Sequence, residues 1–120
     1  MDEIRLPDSE LKVMAFLWEK ETASAKDTAL YMGREYGWKK NTTYTVLKNL
    51  QEKGVIKRKE PGFQCIPLVA REQVGKTEAR TLIDRFYKGS AAMLFSSFLD
   101  EHAMSEAELA EIRALLEKDS

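Results

Sequence analysis

Between Lys39 and Gly54, apolar residues recur only at helical spacing: Thr43, Val46, Leu47 and Leu50 fall on one side when successive residues are set 100° apart. Asn41, Tyr44, Thr45 and Lys48 fall on the other side. The segment therefore predicts a helix that rests on a core with one face and presents hydroxyl, amide, aromatic and basic groups on the other. Gly54 ends it, and Val55-Ile56-Lys57-Arg58-Lys59 continues as a basic strand. An ordinary solvated amphipathic helix has the same periodicity, so its neighbours decide what it is for.

Charge separates the segment from the rest of the chain. Residues 39–59 carry a net charge of +6, against −3 for residues 1–38 and −4 for residues 60–120, so the overall −1 conceals one basic stretch in an acidic frame. A basic helix and strand in such a frame form the electrostatic footprint expected for a phosphate backbone. The acidic remainder argues against a role on an anionic lipid surface.

The flanking sequence supplies a fold for this helix. Pro7 with Asp8 and Glu10 predicts the opening of a first helix, with Leu11, Met14, Ala15, Leu17 and Trp18 as its apolar face and its end near Glu19 or Lys20. Ser24 predicts the cap of a second, with Asp27 at the third helical position, Ala25, Thr28, Ala29 and Met32 inward, and Gly37 ending it. After Gly54 the period changes, and Val55–Glu60 and Phe63–Leu68 flank Pro61-Gly62 as a β-hairpin, with Pro67 at an edge or a strand end. A short strand near Thr22-Ala23 could pair with that hairpin. Three helices followed by a hairpin is the order of a winged helix-turn-helix, with the third helix as the reading element. The expected class is mainly α with a small β-hairpin, and residues 1–70 form its first domain.

From Arg71 onward only helices are expected, over about Glu72–Lys88, Ser90–Glu101 and from Ser105, where Ser105-Glu106-Ala107-Glu108 is a capping box. The region 71–120 carries more large apolar groups than so small a unit can hide alone. Leu82, Phe86, Met93, Leu94, Phe98, Leu99, Leu109, Ile112 and Leu116 are its candidate dimerisation residues. A second copy of the chain or the first domain could cover them.

Other chemistry is poorly represented. Cys65 and His102 are the only residues of their kinds, which allows no internal disulfide and too few ligands for a zinc site. Cys65 is expected to be a buried, inert thiol in a strand, and His102 a solvated residue near a helix end. No phosphate-binding glycine loop, GxSxG or HExxH occurs, so neither an enzyme nor a cofactor is expected. The acidic N-terminus has no apolar stretch behind it and no run is long enough to span a bilayer, so a cytoplasmic protein is expected.

The motifs together resemble the penicillinase-repressor family of the BlaI/MecI type over nearly the whole chain. The matching elements are Leu11-Lys12-Val13-Met14 with Leu17-Trp18, Thr42-Thr43-Tyr44-Thr45-Val46-Leu47-Lys48-Asn49-Leu50 before Lys53-Gly54, Phe86-Tyr87-Lys88-Gly89, and Ser105-Glu106-Ala107-Glu108-Leu109-Ala110-Glu111-Ile112. The resemblance implies a homodimeric repressor with a winged-helix DNA-binding half and a helical dimerisation half. It also implies control by a membrane-bound metallopeptidase sensor linked to cutting of the dimerisation half. In β-lactam-responsive members the cut lies between Asn and Phe; the aligned pair here is Ser97 before Phe98, which keeps only the Phe and is a candidate cleavage site. Copper-responsive relatives carry a C-terminal cysteine cluster, and a chain with Cys65 alone is not expected to sense copper in that way.

For a DNA interface, Asn41, Tyr44 and Thr45 are the expected base-reading residues, since amides and hydroxyls bond base edges. Lys39, Lys40, Thr42, Lys48, Lys57, Arg58 and Lys59 are expected at the backbone or flank. Two alternatives stand beside an operator-binding repressor: a regulator released by a small ligand held between its halves, and a winged helix used for protein contact.

Overall fold

The computed structural model describes residues 4–119 and has the element order α1 (Asp8–Lys20), β1 (Ala23–Ser24), α2 (Ala25–Tyr36), α3 (Lys40–Glu52), β2 (Ile56–Lys59), β3 (Gln64–Pro67), α4 (Arg71–Phe86), α5 (Ala91–Asp100) and α6 (Glu106–Asp119). It divides into two compact units, the first ending at Glu78 and the second beginning at Ala79, so the boundary falls inside α4. No described helix is long and apolar enough to cross a membrane.

Local chemistry sets the helix ends of the first unit. The Ser24 hydroxyl accepts from the Asp27 N–H at 3.0 Å, while Thr28 Oγ1 donates to the Ser24 carbonyl at 2.8 Å, which satisfies a buried hydroxyl next to the cap. At the other end of α2, Gly37 takes φ +70° and donates its N–H to the Gly33 carbonyl at 3.0 Å, a left-handed turn that glycine adopts without strain. α3 ends at Glu52, and the Val55 N–H then reaches back to the Leu50 carbonyl at 3.0 Å. That return places Val55 and Ile56 in the core, and with them the start of the hairpin.

The sheet has three antiparallel strands in the order β1-β3-β2, with Ala23 opposite Cys65 and Arg58 opposite Cys65 on the other side. The brief segment before α2 is thus a strand, and it makes β3 central. Pro67, which lacks an N–H, is the last residue of β3. Cys65 is fully buried, and desolvation pushes its thiol up to about 11, so it is protonated and inert at neutral pH.

The core joins Val13, Met14 and Leu17 of α1 to Met32 of α2, Leu47 and Leu50 of α3 and the hairpin residues. One expectation fails within α1: Ala15 is exposed, whereas Val13 and Phe16 are buried. The helix touches α2, α3 and β3 at once, so it buries a wider arc than a single stripe, and Ala15 falls on what remains. Trp18 adds a long-range tie, its indole N–H donating to the Val69 carbonyl at 2.9 Å.

Thr43 is completely buried, yet its hydroxyl has no hydrogen-bond partner among the described residues. A buried hydroxyl without a partner costs about 1–3 kcal/mol. Thr43→Val keeps the branched shape and removes the orphan, so denaturant unfolding should show a gain of about 1 kcal/mol. A loss of stability would show that the hydroxyl is bonded after all.

The second unit is helical throughout. Ser90 caps α5 by accepting from the Met93 N–H at 3.1 Å, and Ser105 and Glu108 exchange bonds across the first turn of α6 as a capping box. From Ala79 onward Ile83 is the buried large apolar residue among those described, and α5 buries none of its side chains. Phe86 is 73% exposed and Leu116 68%.

Candidate nucleic-acid interface

Helix α3 presents the two faces that its periodicity demands. Thr43, Val46, Leu47 and Leu50 are buried, while Asn41, Thr42, Thr45, Lys48 and Asn49 are exposed. Tyr44 is half-buried at the margin of the polar face: its ring lies 6.1 Å from that of Phe63 and 5.8 Å from the Lys40 ammonium. The aromatic pair links the polar face of α3 to the tip of the hairpin.

Lys39 precedes the first turn of α3 without a side-chain cap, and no acidic residue lies in that turn. The uncapped N–H groups there, with Lys39 and Lys40 beside them, make a positive end suited to an anion. At the other end, Lys53 Nζ donates to Glu10 Oε1 at 2.6 Å. Glu10 is 5% exposed while Lys53 reaches it from the surface, so this pair ties the end of α3 to the first turn of α1.

The hairpin carries Lys57, Arg58 and Lys59 on β2, all exposed. Arg58 is organised: its guanidinium lies 3.8 Å from the Phe63 ring centroid, and its Nε donates to Glu60 Oε1 at 2.6 Å. The same carboxylate accepts from the Phe63 N–H at 3.0 Å. Those two donors, the backbone N–H first, hold the Glu60 carboxyl below its ordinary value. The stabilising effect on the turn is present above the ordinary carboxylate range and is lost as pH falls through the lowered value. Lys39, Lys40, Lys48, Lys57 and Lys59 form no ion pair among the described residues.

All ten residues expected at a DNA interface thus lie in the first unit, on α3 with the residue before it and on β2, and nine are exposed. Phe63 and Glu60 organise the hairpin tip, a role that was not expected from the residue pattern. An aromatic residue directly after Pro61-Gly62 was the available signal. In the second unit, Leu82, Phe86, Met93, Phe98, Leu99 and Leu116 are exposed, and Leu94, Leu109 and Ile112 are half-buried. Ser97 and Phe98 lie within α5, where Ser97 Oγ donates to the Leu94 carbonyl at 2.7 Å and the Ser97 carbonyl accepts from Glu101. His102 is exposed in the turn after α5.

Comparison with known proteins agrees with this architecture. The family model described as penicillinase repressor matches residues 6–118. The methicillin resistance regulatory protein MecI of Mammaliicoccus sciuri is 29% identical over 115 residues, 94% of each chain. The penicillinase repressor of Bacillus licheniformis is 23% identical over 116 residues, covering 95% of this chain and 91% of its own. Among solved structures, the DNA-binding domain of the repressor BlaI superposes with a TM-score of 0.56 at 22% identity, over 60% of this chain and 90% of that one, which gives the same winged-helix fold.

Proposed function

The chain belongs to the penicillinase repressor family, a family of transcriptional repressors rather than enzymes, and on that premise we propose that it acts in the cytoplasm as a homodimer on a palindromic DNA operator. Residues 1–70 would bind DNA and residues 71–120 would pair the two copies. The observation that carries the proposal is the division of α3 into a buried apolar face and an exposed face of Asn41, Thr45 and Lys48, beside an exposed basic hairpin. Asn41, Tyr44 and Thr45 read bases; Lys39, Lys40, Thr42, Lys48, Lys57, Arg58 and Lys59 hold the backbone or the flank of the site.

Dimerisation is supported by the second unit, whose apolar side chains are largely exposed in a single chain. A unit of this size has too little interior to bury them, and a second copy offers a matching surface. Induction by a membrane-bound sensor metallopeptidase that triggers cutting of the dimerisation region is part of the same proposal and rests on the family resemblance alone. At Ser97-Phe98, the peptide lies inside a capped helix with its carbonyls bonded, so α5 must unwind locally before a protease could hold it extended.

Salt titration of DNA binding tests the charge assignments. Lys57→Ala and Lys40→Ala should each weaken binding about equally on every DNA sequence and lower the slope of log affinity against log salt by about one unit. An unchanged slope would remove that lysine from the interface.

A further inference from the structure

Gly33 lies inside α2, where glycine is among the least favourable residues a helix can hold. Its backbone does not require glycine, since φ is not positive, and neither does crowding: a Cβ there would meet the Trp38 carbonyl oxygen at 3.5 Å, an ordinary contact. Gly33 instead forms part of the floor of a cleft of 420 Å³ between α2 and the start of α3, within the usual range of small-molecule sites. Leu30, 56% exposed, and Trp38 give it an apolar wall. Lys26, Arg34 and Lys40 line it as well, and none of the three forms an ion pair among the described residues.

An apolar wall among three cations that form no ion pair among the described residues is complementary to one chemical class. We propose that the α2–α3 cleft binds a small amphipathic carboxylate, whose apolar body covers Leu30, Gly33 and Trp38 and whose carboxylate pairs with the surrounding cations. A DNA phosphate would satisfy the cations but leave the apolar wall in water, which favours the amphipathic anion. Lys40 belongs both to this cleft and to the proposed phosphate contacts of α3, so occupancy withdraws a cation from DNA. That consequence rests on the DNA-binding role proposed above; the binding itself does not.

The test uses the full chain and 1-naphthoate as the probe, titrated by calorimetry without DNA, with 1-naphthalenemethanol as its uncharged analogue. Saturable binding of one naphthoate per chain is expected, at least tenfold tighter than the alcohol. Arg34→Gln should weaken it severalfold, and Gly33→Leu, which projects a bulky side chain into the cleft, should weaken it at least tenfold. Gly33→Ala adds only a methyl and guards against a folding artefact: it should retain the helical circular dichroism and bind with intermediate affinity. No saturable binding, equal affinity for the alcohol, or unchanged affinity in a folded Gly33→Leu protein would each overturn the site. If naphthoate fails to bind while Lys26→Gln and Arg34→Gln weaken DNA binding, the cations are phosphate contacts and the cleft is not a ligand site. At saturating naphthoate, DNA affinity should fall at least fivefold; unaltered DNA affinity with naphthoate bound would sink the coupling alone. A protein that binds naphthoate but never DNA would refute the repressor role and leave the cleft assignment standing.

Discussion

Leu47→Ala should lower the unfolding free energy of the first unit by about 2–5 kcal/mol, whereas Lys48→Ala, one residue further on, should leave it within about 0.5 kcal/mol. Leu47 is fully buried among residues of α1 and the hairpin, and the truncation costs both the lost transfer free energy and the cavity left behind. Against a total stability of about 5–15 kcal/mol for an ordinary domain, the change is large enough to populate unfolded protein at physiological temperature. Lys48 points to the exposed face and has no ion pair among the described residues, so its loss should appear in DNA affinity instead. Chemical denaturation of both variants, followed by a DNA titration of each under conditions where it is folded, separates the two faces of α3. Equal effects of the two substitutions on stability would contradict the division.

Ending the chain after Glu78 should leave a folded monomer whose operator affinity is about 10²–10⁴-fold weaker than that of the full chain. Val74 packs in the core of the first unit, so a cut after Glu78 keeps that side chain where a cut at residue 70 would remove it. In the proposed dimer, two recognition helices would convert the second half-site contact into an intramolecular event, and loss of the second unit would remove that gain without touching a residue proposed to contact DNA. Sedimentation should give a dimer for the full chain and a monomer for the fragment. Equal operator affinity of the two would refute the role assigned to the exposed apolar residues of α4, α5 and α6.

The parts of this fold that rest on local chemistry were legible in the sequence. Ser24 and Ser105 are acceptors placed where a helix begins, Gly37 is a residue able to take the left-handed turn where one ends, and the spacing of Val46, Leu47 and Leu50 leaves α3 one way to face. The parts that depend on distant partners were not. Glu10 suits a helix start by its charge alone, and only the arrival of Lys53 from 43 residues away explains how a carboxylate can be buried there. Ala15 and Phe16 fit a helical stripe about equally well on paper; which is covered depends on where α2 and β3 pack. The α2–α3 cleft was equally hidden, because a glycine in mid-helix carries no sign of whether it makes room for a neighbour or for nothing in the chain.

The most direct test of sequence-specific binding is the ratio of affinities for the DNA upstream of the chain's own reading frame and for random DNA of equal length at one salt concentration, measured for the natural protein and for Tyr44→Phe. The natural protein should prefer its own site by about 10³-fold or more. Tyr44→Phe keeps the ring against Phe63 and removes the hydroxyl, so the preference should fall by about 5- to 150-fold, the equivalent of 1–3 kcal/mol, with affinity for random DNA unchanged. Equal affinity of the natural protein for both DNAs would contradict the central claim.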